Sequence, residues 1–121
     1  MLLKDFYKVN SLESTEGKAI ANITINKEHD VFKGHFPGNP VTPGVCMMQI
    51  IKELSEEVLS KKLFMESASN VKFMAIINPF KTPDLELTLD FEDTKTGFRV
   101  KNITKFNDTV ALKLITSYNV I

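Results

Sequence analysis

The sequence predicts the α+β class, an antiparallel sheet curved around one long helix, and three observations carry that prediction. A stretch from Gly44 to Leu59 keeps apolar residues at helical spacing, with Ile51, Leu54 and Val58 forming a stripe in its second half. Leu85, Leu87, Leu89 and Phe91 alternate without a break with Glu86, Thr88, Asp90 and Glu92, the period of a half-buried strand. Turn residues at Asp93-Thr94-Lys95 and Asn107-Asp108 then separate two further short strands, which makes an antiparallel meander of the C-terminal half. At 121 residues the chain reads as one domain, residues 1–121, large enough to bury roughly two-thirds of its unfolded surface. One helix cannot cover a sheet of five or six strands, so an exposed edge and an open end predict a homodimer or higher homo-oligomer.

Taken in order, Leu2, Leu3 and Phe6 fit a helical turn, whereas Phe6 to Leu12 fits a first strand equally well. Ser14-Thr15-Glu16-Gly17 is turn chemistry. After it Ala19, Ala21, Ile23 and Ile25 alternate with Asn22, Thr24 and Asn26, a half-buried strand. Lys27 to Lys33 is a linker, on which His29 is expected at the surface. Three prolines and three glycines between Gly34 and Gly44 fix an irregular loop, with Pro43 suited by its preset φ to a first helical turn. Val45, Cys46, Met47, Met48, Ile50 and Ile51 then leave no polar stripe, which predicts a helix start buried on all faces. Lys52, Glu53, Ser55, Glu56 and Glu57 turn its second half into surface. Ser67 to Ile77 reads as a strand, Asn78 to Pro83 as a proline-punctuated loop, and the last strands lie near Phe98 to Lys105 and Thr109 to Tyr118.

Charge and composition exclude whole classes of function. Lys and Arg number 15 against 15 Asp and Glu, and no basic cluster interleaves with aromatics, so nothing points to nucleic acid. No stretch approaches the roughly 20 apolar residues of a membrane span, and Met1 to Asn10 lacks the apolar core of a secretory signal. The expected location is therefore cytoplasmic, and the glycosylation-like tripeptides at Asn22, Asn102 and Asn107 carry no meaning there. One cysteine excludes an internal disulfide. No metal or cofactor is implied.

The loop carries the chemistry. His35 is its only side chain that titrates near neutrality, which makes it a candidate base, although a loop histidine can equally be structural. A buried helix start at Gly44 aims unpaired N–H groups and the positive end of the helix into a dry place, which suits a developing oxyanion. Cys46 stands near the same helix end, either as a nucleophile with a lowered pKa or as a small apolar core residue. Met47 and Met48 read as core or tunnel lining.

The run His35-Phe36-Pro37-Gly38 to Pro43-Gly44-Val45 resembles the signature of the hotdog-fold 3-hydroxyacyl-acyl carrier protein dehydratases of fatty-acid synthesis. Asn22 to Asn26, Val71-Lys72-Phe73, Pro79 and Asp84 extend the resemblance over most of the chain. It implies a hotdog fold, two paired subunits with an acyl tunnel between them, and an acyl carrier protein or coenzyme A thioester as substrate. It makes His35 the base that removes the proton next to the thioester carbonyl and the Gly44 N–H the donor to the thioester oxygen, with Phe36 and Val45 beside the substrate. The family places a carboxylate six residues after the proline of Pro43-Gly44, where it protonates the leaving hydroxyl from the partner subunit. Here that position is Gln49, and Glu53 stands four residues on where the family carries glutamine, so amide and carboxylate are exchanged on one helix face. An amide has no proton to give, and losing a general acid costs roughly 10²- to 10⁴-fold. Lys33, Lys61, Lys62, Lys72, Lys81 and Arg99 are the cations available to an acidic carrier, while Met74 and Ala75 replace further basic residues of the family. Three functions fit position 49: a dehydratase completed by Gln49 or Glu53, a hotdog thioesterase in which Gln49 and His35 position a water, and a non-catalytic acyl-thioester binding subunit paired with a competent homologue.

Overall fold

A computed structural model describes residues 5–34 and 40–121. Its elements run β1 (Tyr7–Thr15), β2 (Lys18–Ile25), α1 (Val31–Gly34), α2 (Gly44–Leu59), β3 (Leu63–Phe73), β4 (Asp84–Asp93), β5 (Gly97–Phe106) and β6 (Thr109–Val120). All six strands join one antiparallel sheet in the order β1-β2-β4-β5-β6-β3. The alternation seen in the sequence becomes rows across that sheet. Ala21, Leu87, Thr104 and Leu112 stand opposite one another on four successive strands, as do Ala19, Leu89, Asn102 and Leu114, and all eight are buried. Against these rows α2 buries Cys46, Met47, Ile50, Ile51 and Leu54, giving the expected sheet curled on one central helix. Asn102 and Thr104 are the polar members of the rows: the Asn102 amide donates to the Thr88 carbonyl at 3.2 Å and accepts from the Thr104 hydroxyl at 2.9 Å.

The structure selects the strand for the N-terminal segment: β1 pairs with β2, and Phe6 just before it is fully buried, its ring stacked on Phe32 at 5.6 Å. Phe32 belongs to α1, so the expected linker contains a helical turn whose purpose is to plug one end of the core. His29 is not a free surface residue either. It is half-buried, meets Phe6 edge-on at 5.1 Å, and its Nδ1 accepts from the Val31 N–H at 3.1 Å, capping the start of that turn.

Two further expectations need correction. The strand expected at Ser67 to Ile77 is β3, which starts and stops four residues earlier. Its residues after Leu63 are all exposed, so no burial alternation marked its ends, and a kink at Asn70 (φ 51°) shifts the register midway. The ladder ends because β6 bulges: Thr104 faces Leu112 and Lys105 faces Val110, which leaves Ala111 unmatched. The Ala111 carbonyl then accepts from both Met74 N–H (2.8 Å) and Ala75 N–H (3.3 Å), turning the chain out of the sheet. The first half of α2 is not wrapped on every side. Cys46 and Met47 are buried, but Val45 is 64% exposed and Met48 half-buried, because the sheet lies on one side of the helix only. Phe64, Phe73, Met74, Ile76 and Phe80 are exposed with it. Among the described residues no helix is long and apolar enough to cross a membrane.

Candidate active site

The mouth of α2 is built by two stitches. One is the Ala111 carbonyl holding Met74 and Ala75; the other is the Thr42 N–H donating to the Ile77 carbonyl at 2.9 Å. Together they draw residues 73–77 past the start of the helix and enclose a cleft of ≈ 530 Å³ lined by Val41 to Gly44 and Phe73 to Ile77. Pro43 is the N-cap rather than part of the first turn (φ −63°, ψ 144°), and it offers no side-chain cap. Its carbonyl accepts from the Cys46 and Met47 N–H groups at 3.1 and 3.2 Å, which leaves the N–H groups of Gly44 and Val45 without intrahelical partners. No acidic side chain stands in the first turn to offset the positive end of the helix. A Cβ at Gly44 would lie 2.7 Å from Cζ of Phe73, whose ring lies over the first turn, so a side chain there has to push that ring aside.

Thr42 was not marked by the sequence. It is 5% exposed, lines this cleft, and its hydroxyl has no hydrogen-bond partner among the described residues. A threonine inside an apolar run is the signal that could have found it. His35 and Phe36 lie outside the described residues. Val45 belongs to the first turn but is not among the residues lining the cleft.

A second polar group forms on the other part of α2. Gln49 and Glu53, one turn apart, are bonded directly, Gln49 Nε2 donating to Glu53 Oε2 at 2.9 Å. Tyr7 on β1 donates its hydroxyl to Glu53 Oε1 at 2.7 Å. Burial, and after it the hydrogen bond and charge of Glu53, hold the Tyr7 phenol above its ordinary range, so it remains a donor at any physiological pH. Lys52 is drawn towards Glu56, 3.9 Å away, and leaves Glu53 to its two donors. The structure thus brings Gln49 and Glu53 together but places neither in the Gly44 cleft. Tyr7 could not be found from sequence, because 46 residues separate it from Glu53. Cys46 is a core residue: burial pushes its thiol pKa up, against the pull of the helix end. Among the described residues no cluster of His, Cys, Asp and Glu suits a metal ion.

Residues 11–112 match the family described as ApeI-like, ApeI dehydratase. A 3-hydroxyacyl-[acyl-carrier-protein] dehydratase FabZ of Rickettsia felis is 32% identical over 104 residues, covering 79% of this chain and 66% of that protein. Its counterpart in Rickettsia massiliae is 29% identical over 121 residues, 93% of this chain and 76% of the relative. The solved dehydratase heterocomplex ApeI:P from Xenorhabdus doucetiae superimposes with a TM-score of 0.76 at 20% identity, covering 93% of this chain and 96% of that one. A mutant thioesterase PA1618 from Pseudomonas aeruginosa shares the fold at a TM-score of 0.63 and 7% identity, covering 91% and 79%. The architecture is the hotdog fold.

Proposed function

The chain belongs to the ApeI-like dehydratase family, and on that premise we propose that it removes water from a 3-hydroxyacyl thioester, carried by acyl carrier protein, to give the 2-enoyl thioester in fatty-acid or related acyl biosynthesis. The observation that carries this reading is the start of α2, where the N–H groups of Gly44 and Val45 are left over beside an apolar cleft. In this mechanism His35 takes the proton at C2 while the Gly44 N–H steadies the negative charge that grows on the thioester oxygen. The hydroxyl at C3 leaves as water by taking up the proton that His35 has removed from C2, which restores the histidine and balances the step without an acid at position 49. Gln49 follows Gly44 by five residues, roughly 140° around the helix axis at about 100° per residue, so one copy cannot turn both towards the same carbonyl. A second copy must supply the Gln49 and Glu53 group, which is why we propose a homodimer with shared sites. Exposed Val45, Phe73, Met74 and Ile76 supply apolar surface for that contact.

Position 49 favours a second reading as well. With an amide where the family carries its acid, the chain serves as the acyl-binding member of a mixed pair with a competent homologue. The heterocomplex formed by its structural neighbour supports that alternative.

Purified protein incubated with 3-hydroxyacyl and with plain acyl thioesters, on carrier protein and on coenzyme A, separates the readings. Enoyl absorbance supports the dehydratase, free thiol the thioesterase, and acyl binding without turnover the mixed pair. His35→Ala is expected to abolish enoyl formation with an unchanged circular dichroism spectrum; retained turnover would remove His35 from the mechanism.

A further inference from the structure

We infer that Tyr7 is a positioning residue: through Glu53 it fixes the side-chain amide of Gln49 so that the amide offers its carbonyl oxygen to a hydrogen-bond donor, a hydroxyl on the bound acyl chain. This rests on the reading that Gln49 faces the acyl thioester. The chemistry of the three groups dictates the orientation. An ionised carboxylate only accepts, so whatever bonds to Glu53 must present a hydrogen. Tyr7 presents its O–H to Oε1 at 2.7 Å and Gln49 presents its NH₂ to Oε2 at 2.9 Å. The NH₂ and C=O of an amide point to opposite sides of one carbon, so an NH₂ turned towards Glu53 turns Oε1 away from it.

Tyr7 is what makes this orientation permanent. Glu53 is only half-buried, and a glutamate on an exposed helix face samples several rotamers. The phenol anchors it from a different element, β1, which the ladder to β2 ties into the sheet. The nearest cation on the helix, Lys52, is engaged with Glu56, so it does not compete for the carboxylate. With one oxygen of Glu53 held by Tyr7, the other stays beside Gln49 and the amide does not flip. A fixed acceptor prefers a ligand that donates. A 3-hydroxyl supplies such a donor and an unsubstituted acyl chain does not, so the group reads the hydroxyl that is to leave before any proton moves.

Gln49 is the only glutamine in the sequence, which gives the inference a direct readout. Protein labelled with ¹⁵N-glutamine shows one side-chain NH₂ pair. In the unmodified protein the two protons are expected to be well separated in shift, one of them slow to exchange. Tyr7→Phe, which keeps the ring, is expected to move the pair to the values of a free side-chain amide. An unchanged pair would overturn the inference. Should Tyr7→Phe fail to fold, Glu53→Ala makes the same demand on the resonance from the helix side. Adding 3-hydroxybutyryl-pantetheine is expected to shift the pair more than butyryl-pantetheine does, and equal responses to the two would overturn the assignment of the acceptor. In turnover, Tyr7→Phe is expected to lower kcat roughly tenfold, the scale of one hydrogen bond to a charged group, with no further loss in a Gln49→Leu background; additive losses would reduce Tyr7 to a packing role. A protein inactive on every thioester defeats the dehydratase reading alone, because the resonance in free protein is read without substrate.

Discussion

Glu53 accepts with both of its oxygens, and the residue beside it, Gln49, donates to it without having a proton to release. Gln49→Glu changes that balance by putting a group that can release a proton where the amide cannot, one turn and about 6 Å along the axis from Glu53. Dehydration is therefore expected to rise in Gln49→Glu, by up to the ~10²- to 10⁴-fold a general acid supplies, measured as enoyl-thioester absorbance. A rate equal to wild type would show that the missing donor is not what limits this site. At the other end of the first helical turns, Gly44→Ala places a methyl 2.7 Å from Cζ of Phe73. Phe73 is 55% exposed and free to swing, so thermal stability is expected to change by no more than about 1 kcal/mol. The displaced ring then lies across the cleft, and the expected signature is a raised KM with a nearly native melting curve.

Element by element, the sequence was most legible where burial alternates strictly. β4 and β2 have one wet and one dry face, and their period-two pattern located them within a residue or two. β3 was displaced by four residues because an edge strand with both faces exposed writes no such pattern. The helix and its glycine were legible from Pro43-Gly44 and the apolar run behind it. What could not be read was anything made by distant contacts: Phe32 folding back on Phe6, the Ala111 carbonyl ending β3, and Tyr7 reaching Glu53. β6 supplies a test of its own through Tyr118, whose phenol is pushed up to about 12 by burial, with Thr116 pulling the other way and Glu56 adding to the rise. The unfolded phenol ionises near 10, so stability is intact below that pH and is lost as pH rises towards 12. Urea unfolding is expected to show a loss approaching about 3 kcal/mol over that window. Tyr118→Phe should remove that contribution, while the part that belongs to Tyr7, whose phenol burial and Glu53 also raise, persists.

For the whole molecule, the first expectation is mass: light scattering at micromolar concentration should give at least twice the 13.7 kDa of one chain, and a monomer would count against shared sites. The strand order has a different consequence, in the timing of synthesis. β1 finds its one partner, β2, directly after it in the sequence, but β3 pairs only with β6, the last of the six strands. While the ribosome makes the residues between them, Phe64, Val71, Phe73, Met74 and Ile76 have no strand to lie beside. Residues 73–77 of the cleft wall are held until then only through the Thr42–Ile77 bond, since their other anchor is the carbonyl of Ala111. The cleft is thus complete only once Ala111 has been made, and until then its apolar wall is what a chaperone at the exit tunnel would meet.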